Sequence, residues 1–202
     1  MSNHEARTKT LGEVRVYRHN VFAPFSQGAN HEEAKYSLTV LIPKTNEAAK
    51  TAIDEAIQAT ANDALHTKWN GTAPVPLITP LHDGDGVRSN GEGYGADCAG
   101  CYVLTANSKE QPEIVDANLQ PIINTREIYR GVWVYVSVTF FSYMRNGKKG
   151  IGCALGPVMK SRDDEALDGR VTARKAFEGV MRPAVLNDGV SAAEVFKSVS
   201  QS

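Results

Sequence analysis

The chain has 202 residues, of which 42% are hydrophobic and 22% charged, with a formal net charge of −1. That composition excludes a disordered polyelectrolyte and gives no global attraction to nucleic acid, so any such contact must rest on local charge. Three cysteines (Cys98, Cys101 and Cys153), no apolar run of membrane-spanning length, and a Met1-Ser2-Asn3-His4-Glu5 start without a signal-peptide core make a reducing, cytoplasmic protein the expectation.

Residues Leu11 to Arg18 alternate as a first strand, with Val14 and Val16 facing inward. A polar loop, Ser26 to Glu33, leads to a second strand, Lys35 to Ile42. Its even face is Tyr36, Leu38, Val40 and Ile42, and Pro43 ends it. Asn46 is placed to cap a helix running to about Trp69. Ala49, Ile53, Ala56, Ile57, Thr60, Ala64 and Leu65 fall at helical spacing, and Asn70-Gly71 stops it. Gly71 to Gly100 is rich in loop residues, Cys101 to Asn107 reads as a short strand, and Ile122 to Ile128 as part of another.

Val132 to Tyr143 sorts by parity. Val132, Val134, Val136, Val138 and Phe140 form a core face. Trp133, Tyr135, Ser137, Thr139, Phe141 and Tyr143 form an aromatic face with two hydroxyls between. Asn146-Gly147 follows, the favoured pair for a two-residue hairpin turn, flanked by Arg145 and Lys148, with Lys149 next. Rings that stack on bases and cations that track phosphates are what a single-stranded nucleic acid platform needs. The alternative is that the odd face packs under a helix or a second sheet. From Arg126 to Lys160, six basic residues against one acid (Glu127) make the segment locally +5, while Asp163, Asp164, Glu165 and Asp168 gather after it. Ile151 to Lys160, with Gly152, Gly156 and Pro157, reads as a bent or bulged strand. Ala173 to Val180 reads as a short helix, and Ser191 to Glu194 as a capping box before Val195, Phe196 and Val199. Several short strands, one long helix and Gly-rich connections suggest a small barrel with insertions.

His82-Asp83-Gly84-Asp85-Gly86 resembles the start of a calcium loop, but the twelfth position from Asp83 is Tyr94, not Glu, so that reading fails. A magnesium site would need a further carboxylate such as Asp97 or Asp116. The favoured reading is a tight turn whose Asp side chains accept backbone N–H bonds. Cys98-x-x-Cys101 is half a zinc site, which His66, His82 or Cys153 would have to complete. Otherwise Cys101 is a small core residue and Cys98 a loop thiol. Familiar hydrolase and NTPase motifs are absent from the sequence.

Several segments together resemble one family. They are Lys35-Tyr36-Ser37-Leu38-Thr39-Val40-Leu41-Ile42-Pro43-Lys44, Pro80-Leu81-His82-Asp83-Gly84-Asp85, and Tyr102 to Ser108 with Pro112 and Val115-Asp116. Tyr129-Arg130-Gly131-Val132-Trp133-Val134, Gly147 to Ile151 and Leu155-Gly156-Pro157-Val158 complete the set. In this order they resemble the phage single-stranded DNA-binding proteins of OB-fold type, over roughly Leu11 to Phe177. The resemblance implies an α+β, mainly β chain: an elaborated OB-fold, a five-stranded barrel with one long amphipathic helix and Gly-rich loops. It implies protection of single strands in phage replication or recombination, in the host cytoplasm. Two departures stand out. The long helix follows the second recognisable strand rather than the third, which leaves either the strand count wrong or the fold elaborated. Residues 181–202 also lack the acidic character of many single-strand binders' tails.

The reading is a non-enzymatic single-stranded DNA-binding protein, residues 1–180 forming one domain and 181–202 a tail that is mobile or a short helix. No cofactor, metal or membrane is expected. The partners are single-stranded DNA and phage replication or recombination proteins, with a dimer left open. Trp133, Tyr135, Phe141 and Tyr143 are the stacking candidates, with Tyr17, Tyr36 and Tyr102 further out. Arg15, Arg18, Lys35, Arg130, Arg145, Lys148 and Lys149 are the phosphate candidates. The rivals are a metal-dependent nuclease using Asp83 and Asp85, and a structural or virion assembly protein with an OB-like barrel.

Overall fold

The alternation of small and β-branched apolar residues that marks the strands also closes them into a barrel. The computed structural model describes residues 3–26, 34–88, 90–145 and 147–169. The predicted helix at 173–180, the capping box at 191–194 and the rest of the tail lie outside the described residues, as do Asn146 and most of the loop at 26–33. A short helix α1 (Asn3–Arg7) leads into β1 (Thr8–Phe25), followed by β2 (Lys35–Pro43) and α2 (Glu47–Thr67). Then come β3 (Leu81–Asp83), β4 (Cys101–Ser108), β5 (Ile114–Val115), β6 (Trp133–Arg145) and β7 (Lys148–Arg162). The sheet order is β3-β4-β2-β1-β6-β7-β5, and a parallel contact of β4 with β7 (Asn107 opposite Ala154) closes β4-β2-β1-β6-β7 into a five-stranded barrel. β3 and β5 are extra strands outside the ring.

β1 is much longer than Leu11 to Arg18 because register shifts bend it. Irregularities between Leu11 and Val14, Val16 and Arg18, and Asn20 and Phe25 let one strand pair with both β6 and β2. Bulges add local twist, which a small barrel requires. The even face of β6 is the core, as parity predicts: Val134, Val136, Val138 and Phe140 are at most 1% exposed. They pack with Leu11, Val14 and Val16 of β1 and with Leu38, Val40 and Ile42 of β2.

The long helix does lie between the second and third barrel strands, so the fold is elaborated. The Asn46 side chain accepts from the Ala49 amide at 3.1 Å, as an N-cap should. Ala49, Ile53, Ala56, Thr60, Ala61 and Ala64 form the buried stripe. Small residues on it let the helix approach the barrel closely, and the Thr60 hydroxyl donates to the Ala56 carbonyl at 2.7 Å. Asn70 and Gly71 stop the helix with φ of 50° and 75°. Trp69 is fully buried and donates from its indole N–H to the Tyr143 carbonyl at 3.2 Å, fixing the helix end to β6.

Two expectations are corrected. Ile122 to Ile128 is not a strand: Asn124 caps a short 3₁₀ turn at Thr125–Glu127, and Ile128 is buried at its end. The loop-rich 71–100 segment, as expected, holds only β3 and a 3₁₀ turn, Ala96–Cys98, as regular elements among its described residues. The cysteines exchange roles: Cys98 is fully buried in a second cluster with Tyr17, Leu41 and Val103, while Cys101 is half-buried against it. That cluster lies on the opposite face of β2 from Val40 and Ile42, where the 84–100 segment covers the barrel.

Candidate nucleic-acid interface

Alternation along β6 turns every odd residue outward, and among the described residues no further layer packs over the ring-bearing face. Tyr135 is 36% and Phe141 43% exposed, and Trp133 and Tyr143 are half-buried. From Trp133 to Tyr143 the row spans roughly 33 Å at the usual strand rise. Thr139 sits in its middle, its hydroxyl 3.0 Å from that of Thr8 on β1.

The two ends of this row differ. Trp133 lies opposite Arg15 of β1 and Arg162 of β7. The Arg162 guanidinium carbon is 4.4 Å from the indole centroid and that of Arg15 is 5.9 Å away. The indole N–H donates to the Asp164 carboxylate at 2.7 Å, and Asp164 also pairs with Arg15 at 3.7 Å and Arg162 at 3.8 Å. Those contacts, the Trp133 hydrogen bond foremost, hold the Asp164 carboxyl below its ordinary value. Arg15 further donates to the Gly131 carbonyl (3.1 Å) and the Glu165 carbonyl (2.7 Å), and Arg162 to Glu13 (3.2 Å). Asp163 and Asp164, among the acids after Lys160, turn back onto this end of the strand. Asp163 pairs with Lys160 at 2.8 Å, Asp164 closes over Trp133, and Glu127 also pairs with Lys160. Within the locally +5 segment, acids pair with Lys160 and with Arg130.

At the other end, Phe141 and Tyr143 stand next to the β6–β7 turn. With Met144 they form one wall of a cleft of about 560 Å³, whose other wall is Thr67, Lys68 and Asn70 at the end of α2. Arg145 and Lys148 flank the turn and are exposed, whereas Lys149 is spent on the Trp69 carbonyl (2.7 Å) and the Thr72 carbonyl (3.0 Å), which it holds at the end of the helix. OB barrels bind oligonucleotides with the face of their second and third strands and with the loops after the first and fourth. The β6–β7 turn is the loop after the fourth barrel strand here.

The remaining candidates lie elsewhere. Tyr17 is 7% exposed, with Arg18 and Arg130 over its ring at 5.2 and 5.1 Å. Arg130 also donates to the Tyr17 carbonyl (2.9 Å) and pairs with Asp97 (3.2 Å). Arg18 and Lys35 are exposed on β1 and β2. Tyr36 and Tyr102 share the inward-facing parity of their strands and are not brought to the ring face; Tyr102 packs on the main core beneath Lys44 and Lys50. Between them, the outward residues of β1, β2 and β4 form a polar strip. Asn20 donates to Ser37 (3.0 Å), and the Thr39 and Thr105 hydroxyls are 3.0 Å apart.

The Asp-Gly-Asp segment is a turn. Asp83 accepts from the Asp85 amide and Asp85 from the Gly100 amide, both at 2.9 Å, and both carboxylates bind Lys44, at 2.7 and 2.8 Å. Lys44 foremost, then these amides, hold both carboxyls below their ordinary values. Among the described residues, no group of three His, Cys, Asp or Glu side chains converges as a metal site would. Burial pushes the Cys153 thiol up to about 12. The side chains that sequence reasoning missed are Arg162 and Asp164, which reach Trp133 only through the bulged pairing of β6 with β7.

A closed five-stranded barrel with two added strands, an inserted helix and rings along one outward strand defines an elaborated OB-fold protein. Within that class, the chain belongs to the family of the single-stranded DNA-binding protein of Enterobacter phage Enc34, whose sequence profile matches residues 8–188. A protein designated p50 from Acyrthosiphon pisum secondary endosymbiont phage 1 is 30% identical over 169 residues, 79% of this chain and 85% of its own. The bacteriophage Enc34 protein solved in complex with single-stranded DNA superposes with a TM-score of 0.69 at 27% identity, over 81% of this chain and 90% of that one. The single-stranded DNA-binding protein encoded by bacteriophage T7 shares the fold, with a TM-score of 0.55 at 12% identity, over 82% of this chain and 97% of that one.

Proposed function

We propose that this chain binds single-stranded DNA without sequence preference and shields it during phage DNA replication or recombination. Membership in a family of single-stranded DNA-binding proteins carries the reading. The open row of rings on β6 supports it, because stacking on a ring is worth about 1–3 kcal/mol per base and every base has a π-face. The exposed cations, Arg18, Lys35, Arg145 and Lys148, would release counterions from the backbone. Arg15, Arg130 and Lys149 hold backbone carbonyls and serve the fold first. Binding is passive and needs no cofactor. The site would act in the host cytoplasm; no helix among the described residues is long and apolar enough to cross a membrane. Nuclease chemistry finds no support, since Asp83 and Asp85 are both committed to Lys44 and to backbone amides.

The test is a fluorescence anisotropy titration with labelled oligo-dT at two salt concentrations, with and without Mg²⁺. Saturable binding that weakens steeply with salt is expected. Affinity that does not change with salt would overturn the electrostatic part of the reading, and Mg²⁺-dependent shortening of the oligonucleotide would replace it with a nuclease.

A further inference from the structure

Side chains on a strand ordinarily stand roughly perpendicular to the sheet. Three rings on the outer face of β6 instead lean across a neighbouring strand, and each comes to rest on a glycine. Phe141 and Tyr143 lie opposite Gly152 and Gly150 of β7, and Tyr135 lies over Gly12 at the bulge of β1. A methyl group at Gly152 would fall within 3.0 Å of three Phe141 ring carbons, closer than real Cβ contacts come. One at Gly150 would lie 2.5–3.0 Å from the Tyr143 hydroxyl oxygen and ring, and one at Gly12 would overlap the Tyr135 ring edge.

The backbone does not call for glycine at these places. Gly131 and Gly147 have φ of 110° and 74°, where other residues are strained, but Gly12, Gly150 and Gly152 are outside the positive-φ set. Glycine in a strand interior weakens it and often marks a close approach. The close approach here is by a ring in all three cases. The alternation Gly150-x-Gly152 on β7 matches the alternation Phe141-x-Tyr143 on β6, residue for residue across the pair.

We infer that Gly150 and Gly152, with Gly12, are positioning residues that lower the outer rings of β6 onto the sheet and fix the pose in which they meet a nucleobase. The inference rests on the single-stranded DNA reading. A leaning ring has one side against the glycine backbone and the other toward solvent, so it is held before the strand arrives. Its ordering cost is met in folding rather than in binding. At Gly152 the colliding atoms are the far end of a ring that can swing away, so an added methyl moves the ring rather than the backbone.

The experiment is a double-mutant cycle on oligo-dT affinity with Gly152→Ala, Phe141→Ala and the pair, alongside thermal melts. Gly152→Ala is expected to weaken binding by at least about threefold with little change in melting, and to add nothing in the Phe141→Ala background. A merely structural glycine would lower affinity equally in both backgrounds, which would overturn the inference. Wild-type affinity in Gly152→Ala beside weakened binding in Phe141→Ala would overturn it too, while leaving DNA binding by Phe141 intact. Unchanged affinity in Phe141→Ala would remove both. Should Gly152→Ala melt early, Gly150→Ala against Tyr143→Leu runs the same cycle with the same criteria.

Discussion

The two ends of β6 carry the same kind of side chain and treat it in opposite ways. At the Trp133 end the ring lies between Arg15 and Arg162, and Asp164 takes its N–H and balances both cations. At the hairpin end Phe141 and Tyr143 lean on glycines, and Phe141 keeps 43% of its surface exposed. The first end spends its aromatic and its cations on the fold. At the second, the rings rest against glycines and face a cleft, and Phe141 stays exposed to a ligand. Residue type alone makes the Trp133 end the stronger binding candidate, since it has the largest ring and two arginines. Partner geometry reverses that order.

The largest expected effect tests whether parity separates fold from surface beside the open end. Phe140 is fully buried and Phe141 is not, so Phe140→Ala should cost about 3–5 kcal/mol in urea unfolding. Phe141→Ala should stay within about 0.5 kcal/mol of wild type. Similar losses in both would show that the outer rings are core after all.

Breaking the tied end comes next. Trp133→Phe removes the donor to Asp164 and should lower stability by about 1 kcal/mol, the ordinary worth of a hydrogen bond at a half-buried site. If this tied ring does not stack on bases, oligo-dT affinity should change less than about twofold. The pH dependence follows from the depressed carboxyl of Asp164. Its contribution is fully present above the unfolded carboxylate value and is lost as pH falls through the lower folded value. Melting curves of Asp164→Asn should therefore lack part of the loss that the wild type shows as pH falls below the ordinary carboxylate value of about 4.

The same Asp164→Asn change sharpens the comparison in binding. It frees Arg15 and Arg162 of a competing carboxylate, and oligo-dT affinity should rise about twofold to fivefold at low salt and by less at high salt. Weaker binding would mean that the tied geometry itself is part of the interface. The smallest effects distinguish two adjacent lysines. Lys149→Ala should lose about 1 kcal/mol of stability with an unchanged salt slope, since its ammonium holds two carbonyls at the helix end. Lys148→Ala should leave stability alone and reduce the salt slope by about one.

What the sequence disclosed follows from periodicity. The core face of β6, the inward residues of β2 and the buried stripe of α2 all repeat at strand or helix spacing and are read correctly from the chain. The outward direction of the ring row comes from the same alternation. What could not be read depends on register between distant segments. Arg162 meets Trp133 only because bulges shift β7 against β6, and Asp164 reaches the indole from the turn after β7. Sequence distance sets Asp163 and Asp164 apart from the ring strand, whereas in space they meet Lys160 and Trp133. Lys149 could not be told from Lys148 without knowing where the helix ends. β5 is two residues long and has no periodicity to detect. The glycines under the rings were visible as residues, yet they read as a bent strand until the cross-strand pairs were known.

Ultraviolet crosslinking of oligo-dT to the intact protein, followed by peptide mapping, tests the central claim most directly. Adducts are expected on Phe141 and Tyr143 at the hairpin end of β6, with Trp133 crosslinked weakly or not at all. Adducts concentrated on Trp133, with the hairpin end unmodified, would contradict it.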